Sequence, residues 1–362
     1  MWTLDEFELG QKLGEGAFGK IYLAKRGRAI VALKILRKAQ ISRQKAQKLV
    51  EREIEVQSNL HHENLLSLYA YFWDDQSIFL VLEHSHFGDL RKLILQNAAG
   101  ADASGGAAPL ISKQDIKLYF KHTISGLQHL HKNEILFRDL KSENLLLFHP
   151  KIVKLSDFGA AVHGPKEFQA DKRKTMIGNP LFYAPEMITD DAYDFFVDMW
   201  AAGLLLFELL FHGKLPSSPE FSPSSTSGDG ARAAAGGNSV ELPPDTSRND
   251  RRGSEIVDRT GNKQKFAEHD QLAIFRDILK LDVKNVLSKA AQSTVTSAAT
   301  GRDQMPSSTS GAGTKNYRGQ EQSSWFRDEI ETNAEDLISK LLVSPANKRL
   351  TCAQCLTHAL LA

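Results

Sequence analysis

Residues 137–159, with the sequence FRDLKSENLLLFHPKIVKLSDFG, contain two short motifs that together decide the fold. The first eight residues depart only at Phe137 from the pattern H-R-D-L-x-x-x-N. The second motif, DFG, begins at Asp157, which is 18 residues after Asp139. Either motif could arise by chance, so the case depends on what lies on both sides of them.

Upstream, residues 14–19 (GEGAFG) fit the pattern G-x-G-x-x-G, which is a weak signal alone. The pattern occurs in dinucleotide-binding folds, in hairpins that cover phosphate groups and in ordinary turns. A dinucleotide fold requires a helix directly after the glycines and an acidic residue about 20 residues further on. Here the strand-like segment KIYLAK follows, and the residue 20 positions after Gly14 is Lys34. The sequence therefore favours the hairpin, in which backbone N–H groups can approach phosphate oxygens closely.

The alternation of apolar residues predicts a β-rich first part of the chain, with one helix over 40–60 and strands over 7–14, 20–25, 30–36, 64–72 and 77–82. Val50, Glu53, Ile54 and Gln57 would share one face of that helix. From Asp89 onward the pattern becomes mainly helical, with helices predicted over 113–132, 197–211, 269–281 and 333–342. A β-rich lobe joined to an α-rich lobe places any cleft between the two.

Two further motifs complete a set of five: Lys34 within VALK, and Ala184-Pro185-Glu186, which ends 29 residues after Asp157. In this order and spacing the set resembles the eukaryotic protein kinases over nearly all of the foldable chain. The resemblance implies an α+β fold, the bilobal protein kinase fold, with a β-rich N-lobe that carries one regulatory helix and an α-helical C-lobe. It divides the chain into an N-lobe (1–82), a hinge (83–88) and a C-lobe (89–362).

The resemblance also implies the chemistry of the central stretch, with ATP and Mg²⁺ as cofactors. Asp139 would be the catalytic base that accepts the proton of the substrate hydroxyl, and Lys141 the cation between phosphate and substrate. Asn144 and Asp157 would be the metal ligands. Lysine at position 141, where tyrosine kinases differ, indicates transfer to Ser or Thr.

The N-lobe would supply most contacts to the nucleotide. Lys34 would hold the α- and β-phosphates and form an ion pair with Glu53. Leu82 would be the gatekeeper residue, and the hinge backbone would bind adenine. The other residues implied are in the glycine loop, the walls of the adenine pocket and the hinge: Gly14, Gly16, Gly19, Ile21, Ala32, Glu83, Ser85 and Leu146.

Longer segments are similar to the Aurora kinases in particular: residues 31–41 (VALKILRKAQI), 51–75 (EREIEVQSNLHHENLLSLYAYFWDD) and 155–165 (LSDFGAAVHGP). Gln57 fits the same group, because most kinases place an apolar residue in the internal spine at that position. The nearest alternative is a basophilic kinase outside the Aurora group. Such kinases usually carry a long C-terminal tail, whereas this chain stops at Ala362.

The resemblance further implies a phosphorylation switch at Thr175, which follows Arg173 by two residues. Arg52, Arg138 and Arg173 match positions that clasp the phosphate in Aurora-like kinases. Gln57 would leave a polar group in the spine, so we expect the phosphate to need help from an activating partner of the inner-centromere class. That partner would brace the N-lobe from outside.

Three acidic residues match the positions that receive substrate arginines in basophilic kinases: Asp89, Glu143 and Glu208. Protein substrates with basic motifs are therefore expected, with Arg two or three residues before the target. The group implies a role in mitosis and chromosome segregation. It also implies a location in the cytoplasm and nucleus, at the spindle or centrosome, and a monomeric catalytic unit.

Two positions depart from the kinase pattern. Phe137 replaces the usual His, which keeps an aromatic contact in the spine and loses a polar one. Asn179 stands where a Thr normally forms hydrogen bonds with the catalytic Asp and Lys. A low-activity ATP-binding scaffold with the kinase fold is therefore the alternative to an active enzyme.

Composition excludes several other classes of protein. Lys plus Arg number 45 and Asp plus Glu number 44, for a net charge of +1, which argues against binding to nucleic acid or lipid through bulk charge. Two cysteines cannot form a disulfide framework, and the spacing of Cys352 and Cys355 favours packing over zinc binding. The longest apolar run, Met199–Phe211, includes Glu208 and is too short to span a membrane. We therefore expect a soluble intracellular protein.

Three segments of the chain are poor in large apolar side chains: 97–109, 217–254 and 288–324. Segments rich in Ser, Gly, Ala and Pro bury too little surface to offset the entropy of ordering. We expect all three to be disordered insertions in the C-lobe.

Overall fold

The computed structural model describes residues 2–16, 18–103, 111–148, 151–164, 179–189, 193–217, 255–257, 263–265, 268–290 and 329–362. Residues 104–109, 218–254 and 291–324, which make up most of the expected insertions, lie outside these ranges. Thr175 and Arg173 lie outside them as well. None of the helices in the described part of the chain combines the length and the apolar character needed to cross a membrane.

The N-lobe is built on a five-stranded antiparallel sheet. Its strands are β1 (Glu8–Gly16), β2 (Gly19–Arg26), β3 (Ala29–Arg37), β4 (Leu68–Trp73) and β5 (Ser77–Leu82), in the order β1-β2-β3-β5-β4. At Gly19 a Cβ atom would lie 1.8 Å from the carbonyl oxygen of Ile35, so the close approach of β2 to β3 requires glycine there. The predicted β-rich first lobe is therefore present.

The helix expected over 40–60 is two helices, α1 (Lys38–Arg43) and α2 (Gln47–Asn59). Lys45 separates them with φ of 54°, in the left-handed region. The N–H of Ala46 donates to the carbonyl of Ile41 at 2.9 Å, and the N–H of Lys45 donates to that of Ser42 at 3.1 Å. These two bonds form a Schellman motif, which ends α1 and redirects the chain. The prediction of one continuous helix was wrong because lysine rarely adopts the left-handed conformation, so its presence does not indicate a helix end.

The C-lobe is mainly helical, with small two-stranded sheets. The helices are α3 (Leu90–Ala103), α4 (Lys113–Lys132), α5 (Pro185–Ile188), α6 (Phe196–Leu210), α7 (Glu268–Leu279), α8 (283–290), α9 (Glu329–Leu341) and α10 (Cys352–Leu356). The sheets pair β6 (Ile135–Leu136) with β9 (Val162–His163), β7 (Leu145–Phe148) with β8 (Ile152–Leu155), and β10 (Glu255–Val257) with β11 (Lys263–Lys265). This architecture is the bilobal α+β fold that the sequence predicted.

The largest hydrophobic core runs through both lobes and includes Leu36, Val56 and Leu204. Helix α6 lies at its centre, with every residue from Val197 to Leu209 buried. A second, smaller cluster lies in the N-lobe and includes Leu33 and Phe79. Because the larger core joins the two lobes, it fixes the residues of the cleft between them.

The expected insertions begin and end differently in the structure. Helix α3 continues to Ala103, so residues 97–103 are helical rather than disordered. Alanine has the highest helix propensity, so an Ala-rich stretch can extend a helix without burying large side chains. Asn97 is itself buried, and its Oδ1 accepts a hydrogen bond from the N–H of Ile111 at 3.2 Å. Residues 288–290 likewise belong to α8, where Ala290 is buried.

Candidate active site

An ion pair joins the sheet to helix α2. Lys34, in β3, directs Nζ at both carboxylate oxygens of Glu53, at 2.6 Å from Oε1 and 2.8 Å from Oε2. The side chains are 17% and 7% exposed, so solvent screens the pair less than it would a surface pair. The sequence predicted this pair, and the structure brings the two residues together.

A second cluster surrounds Asp139. Lys141 Nζ lies 2.9 Å and 2.8 Å from the two oxygens of the Asp139 carboxylate. Asn144 Nδ2 donates to Oδ2 of the same carboxylate at 2.7 Å and to the Asp139 carbonyl at 2.8 Å. A 3-10 helix, Ser142–Asn144, returns the amide towards the carboxylate. Burial raises the pKa of Asp139, although Lys141 and Asn144 act in the opposite direction.

Asp157 lies beside this cluster at the start of the 3-10 helix Phe158–Ala160. Its φ is 67°, a left-handed conformation that is uncommon for a non-glycine residue. The charge of Asp157 is close enough to contribute to the raised pKa of Asp139. The cleft therefore holds the carboxylates of Asp139 and Asp157 and the amide oxygen of Asn144. Asn144 bonds to Asp139 through its nitrogen, Nδ2, and not through this oxygen.

These oxygens fit Mg²⁺, which prefers hard oxygen ligands and usually takes only one or two carboxylates together with phosphate and water. The described residues contain no group of three His, Cys, Asp or Glu side chains that could hold a metal alone. A sparse donor set of this kind suits an ion that a nucleotide helps to bind. Asn144 and Asp157 would supply the protein oxygens.

The glycine loop lies at the turn between β1 and β2, where Gly16 is opposite Gly19 and Gly14 is opposite Ile21. A Cβ atom at Gly14 or Gly16 would have no heavy atom within 4 Å, so open space surrounds this backbone. The loop is thus the phosphate-covering type of hairpin in its connectivity, because strand β2 follows it directly.

The expected adenine pocket lies where β3 meets β5. Ala32 pairs with Leu82, the expected gatekeeper, and, on its other side, with Leu23. Both Ala32 and Leu82 are buried. Leu146 approaches from the C-lobe, where it forms an isolated bridge with Asp89. The predicted walls therefore come from both lobes.

The hinge is held by a salt bridge that the sequence analysis missed. Lys154 Nζ lies 2.8 Å and 2.7 Å from the carboxylate oxygens of Glu83, and both side chains are largely buried. The N–H of Glu83 donates to the carbonyl of Ser67 at 3.0 Å. The Ser85 hydroxyl donates to the carbonyls of Leu147 and Gly88. The Lys154 side chain thus ties β8 to the hinge, and no motif in the sequence marks it.

Asp198, also missed, fixes the backbone next to Asp139. Its carboxylate accepts hydrogen bonds from the N–H of Phe137 at 2.9 Å and from that of Arg138 at 2.8 Å. Nε2 of His131 lies 2.9 Å from the same carboxylate. Asp198 is 1% exposed at the start of the apolar helix α6. An acidic residue in the first turn of a helix that is otherwise apolar as far as Glu208 is the signal that could have identified it.

The spine positions behave as expected from their chemistry. Phe137 packs edge-to-face on Phe158, with ring centroids 5.6 Å apart. Gln57 is buried, and its Nε2 donates to the carbonyl of Leu66 at 3.1 Å. Oε1 of Gln57 is buried without a hydrogen-bond partner among the described residues. A polar atom is therefore left unsatisfied behind α2.

Asn179 contacts its own segment. Its Oδ1 accepts a hydrogen bond from the N–H of Leu181 at 3.1 Å and so caps the 3-10 helix Pro180–Phe182. The Asp139 carboxylate accepts hydrogen bonds from Lys141 and Asn144. Glu186, the last residue of the Ala184-Pro185-Glu186 motif, forms a bidentate ion pair with the buried Arg349 at 2.5 Å and 2.9 Å.

The three expected substrate acids differ in their surroundings. Asp89 caps helix α3 by accepting a hydrogen bond from the N–H of Lys92 at 2.9 Å, and Glu143 is half-buried. Glu208 is 1% exposed and already pairs with Arg91, a residue of the same chain. Arg91 thus already pairs with the carboxylate to which the sequence assigned a substrate arginine. The sequence could not show that Arg91, more than a hundred residues away, reaches it.

Of the three cations expected around a phosphorylated Thr175, two lie in described ranges. Arg138 is buried, and its Nε donates to the carbonyl of Ala160 at 2.7 Å. Arg52 is on α2, adjacent to Glu53. Arg138 therefore directly precedes Asp139 in the chain, whereas Arg52 lies on α2.

Comparison with known proteins matches residues 7–361 to the family described as the protein kinase domain. The chain therefore belongs to the protein kinase domain family. Aurora kinase B of Mus musculus is 40% identical over 223 residues, which cover 61% of this chain and 60% of the relative. The Aurora kinase of Patiria pectinifera is 38% identical over 217 residues (59% and 50%), and that of Saccharomyces cerevisiae 37% identical over 210 residues (58% and 53%).

Within its family the chain is thus Aurora-like, as the sequence predicted. The matched region spans only about half to three-fifths of the length of these three relatives.

Proposed function

We propose that the chain is an ATP-dependent serine/threonine protein kinase of the Aurora group that transfers the γ-phosphate to Ser or Thr in arginine-rich sequences. The observation that carries this proposal is the geometry of the cleft. There Lys141 and Asn144 fix the Asp139 carboxylate, while Glu53 fixes Lys34 on the opposite lobe. A scaffold that only binds nucleotide has no need of both clusters.

Each residue would perform one physical task. Asp139 would orient the substrate hydroxyl and accept its proton, and Lys141 would offset the negative charge between phosphate and substrate. Lys34 would hold the α- and β-phosphates in the position that Glu53 sets. Mg²⁺, held by Asn144 and Asp157, would neutralise charge on the phosphates.

The adenine ring would lie between Ile21 and Ala32 above and Leu146 below, with Leu82 at the back. Backbone groups of Glu83 and Ser85 would bind its polar edge. The Lys154 salt bridge supports this role, because it ties the Glu83 side chain to β8. Gly14, Gly16 and Gly19 would cover the phosphates.

Binding and chemistry can be tested separately. Mg·ATP should raise the melting temperature, because a ligand that binds only the folded state stabilises it. Asp157→Ala should abolish the Mg²⁺-dependent part of that shift, and an unchanged shift would refute the metal assignment. Phosphate incorporation into an arginine-rich peptide, with Lys34→Met as an inactive control, then tests the transfer itself.

Substrate arginines would bind at Asp89 and Glu143. Guanidinium groups bind carboxylates with parallel hydrogen bonds, and both residues lie next to elements that also position the cleft. Protein substrates with basic motifs follow from this. A peptide profile that favoured proline after the target, or acids before it, would contradict the assignment.

Phosphorylation of Thr175 would be the switch. A phosphate adds about −1.5 to −2 charges, which Arg52, Arg138 and Arg173 would share. Since Arg52 is adjacent to Glu53 on α2 and Arg138 to Asp139, one anion would tie the helix to the catalytic segment. Full activity in Thr175→Ala would contradict this switch.

An activating partner of the inner-centromere class would complete the active state, with a mitotic role in chromosome segregation at the spindle or centrosome. Two observations support a partner that braces the N-lobe. Gln57 leaves an unsatisfied buried oxygen behind α2. Three aromatic side chains, Tyr69, Tyr71 and Trp73, are exposed in a row on the edge strand β4. Replacing these aromatic residues with alanine should abolish activation by the partner. The basal activity measured without the partner should stay unchanged.

The alternative function, a low-activity ATP-binding scaffold, is favoured by one observation. The Asn179 side chain caps its own segment through Leu181, whereas a Thr would bond to the catalytic Asp and Lys. Asn179→Thr should raise kcat if the loss of that contact limits turnover. A scaffold would show no measurable turnover in either form.

A further inference from the structure

A second arginine–carboxylate site of the C-lobe is occupied by the chain itself. Arg91, in the first turn of α3, forms an ion pair through Nη1 with Oε1 of Glu208, near the end of α6. The same Nη1 donates to the carbonyl of Gly213 at 3.1 Å. The Ser142 hydroxyl donates to Oε1 of Glu208 at 2.8 Å. Ser142 is three residues after Asp139, so this cluster adjoins the catalytic segment.

The carboxylate is enclosed, and the arginine is on the outside. The Glu208 side chain is 1% exposed, whereas that of Arg91 is 30% exposed. Oε2 of Glu208 is buried and has no hydrogen-bond partner among the described residues. A carboxylate usually accepts several hydrogen bonds, so this site has an unused acceptor beside the guanidinium that covers it.

Asp89 provides the contrast within the same region. Its cation partner, Lys92, is 60% exposed and lies three residues away on the surface of α3. Exposed pairs of this kind contribute little and exchange readily with other cations. A substrate guanidinium can therefore displace Lys92 from Asp89. To reach Glu208, however, it would have to displace Arg91, which is partly buried and bonds to two acceptors.

We infer that Arg91 acts as a built-in substitute for a substrate arginine at Glu208 and so removes one arginine preference from this kinase. The inference rests on the proposed function and narrows it. A guanidinium tethered on a neighbouring helix has a high effective concentration, so it outcompetes the same group on a freely diffusing peptide. Arg91 is then a specificity-determining residue, and the arginine preference comes from Asp89 and Glu143.

The test measures kcat/KM for peptides that carry a single Arg at each of the five positions before a target serine in a neutral background. In the wild-type chain, Glu208→Gln should leave this positional profile unchanged. Arg91→Ala should create a preference for Arg, about ten-fold, at a position that the wild-type chain ignores. Glu208→Gln in the Arg91→Ala background should remove that new preference. Lys132→Ala, which deletes an exposed cation at the end of α4, controls for net charge.

Three results would overturn the inference. Arg91→Ala could leave the profile unchanged, or its new preference could survive Glu208→Gln. Loss of an existing arginine preference in the single variant Glu208→Gln would show that substrates reach Glu208 past Arg91, and this result does not depend on any Arg91 variant. Arg91→Met, which keeps an unbranched side chain, repeats the test if Arg91→Ala melts early. If the wild-type chain phosphorylates none of the peptides, the proposed function fails together with the inference, whereas normal phosphorylation with an unchanged profile refutes the inference alone.

Discussion

Asp198 positions the backbone of the candidate active site, although no sequence motif marks this residue. One buried carboxylate accepts hydrogen bonds from two successive backbone N–H groups, those of Phe137 and Arg138, and thereby sets the direction of the chain into Asp139. Since Asp198 is buried and acts through the backbone next to Asp139, it is a positioning residue.

We expect Asp198→Asn to lower both stability and turnover. The amide keeps the size of the side chain but faces two N–H donors with one acceptor oxygen, and each lost hydrogen bond to a charged group costs about 1.5–3 kcal/mol. A displaced Asp139 should reduce kcat by roughly 100-fold. Asp194→Asn is the matched control, because Asp194 accepts a hydrogen bond from the N–H of Phe196, the first residue of the same helix, at an exposed site. Equal melting temperatures and rates for the two variants would contradict this role.

The raised pKa of Glu208 predicts that the stability of the fold depends on pH. Burial raises its pKa from 4.5 to about 7, against the opposing effect of Arg91; Ser142 lowers it as well and Glu143 raises it further. The folded state therefore holds a proton that the unfolded state has released, and the resulting stabilisation is present below pH 4.5 and is lost as the pH rises through about 7.

As the pH rises from 5 to 8, the melting temperature of the wild-type chain should consequently fall relative to that of Glu208→Gln. Gln does not titrate, so it provides the reference. A difference that stays constant over this range would show that Glu208 titrates at its ordinary pKa.

At the scale of elements, the sequence predicted those with a strong periodic pattern best. Helix α4 has the predicted bounds, Lys113–Lys132, because its apolar spacing and its N-cap Ser112 agree. The break between α1 and α2 was missed, since Lys45 adopts a left-handed conformation that its residue type does not suggest. Helix α3 was not among the predicted helices, and its Ala-rich last part lies in a segment that was expected to be an insertion.

Lys45 offers a direct test of that break. We expect Lys45→Gly to stabilise the chain by about 1 kcal/mol, because a side chain in the left-handed region costs about that much and glycine avoids the cost. Gln44→Gly, one residue earlier at a negative φ of −93°, should instead destabilise it slightly. Chemical denaturation of both variants measures the effect, and equal changes for the two would contradict the Schellman geometry.

At the scale of the whole molecule, the fold and the main cleft residues could be predicted, because the motifs carry the chemistry in local sequence. The residues that could not be predicted act across long sequence distances: Lys154 on Glu83, Asp198 on Phe137, and Arg91 on Glu208. Each is an ordinary charged residue in sequence, and only the three-dimensional arrangement gives it a partner.

The domain organisation also remains a prediction that can be tested. Replacing residues 218–254 with a Gly-Ser linker of about 12 residues should leave the melting temperature and the basal rate nearly unchanged, because loop closure depends only weakly on loop length. The flanking residues, Ser217 and Glu255, stay in place. A large loss of stability would show that the segment packs against the C-lobe and is not an insertion.

The central claim is that Asp139, held by Lys141 and Asn144, performs phosphoryl transfer to protein serine or threonine. The most direct measurement compares the wild-type chain with Asp139→Asn for phosphate transfer from Mg·ATP to an arginine-rich peptide, alongside the thermal shift that Mg·ATP induces. We predict that the wild-type chain transfers phosphate, and that the variant loses transfer by at least about 100-fold while it keeps most of the thermal shift. Equal transfer rates for the two proteins, or no transfer by the wild-type chain together with a full thermal shift, would contradict the account.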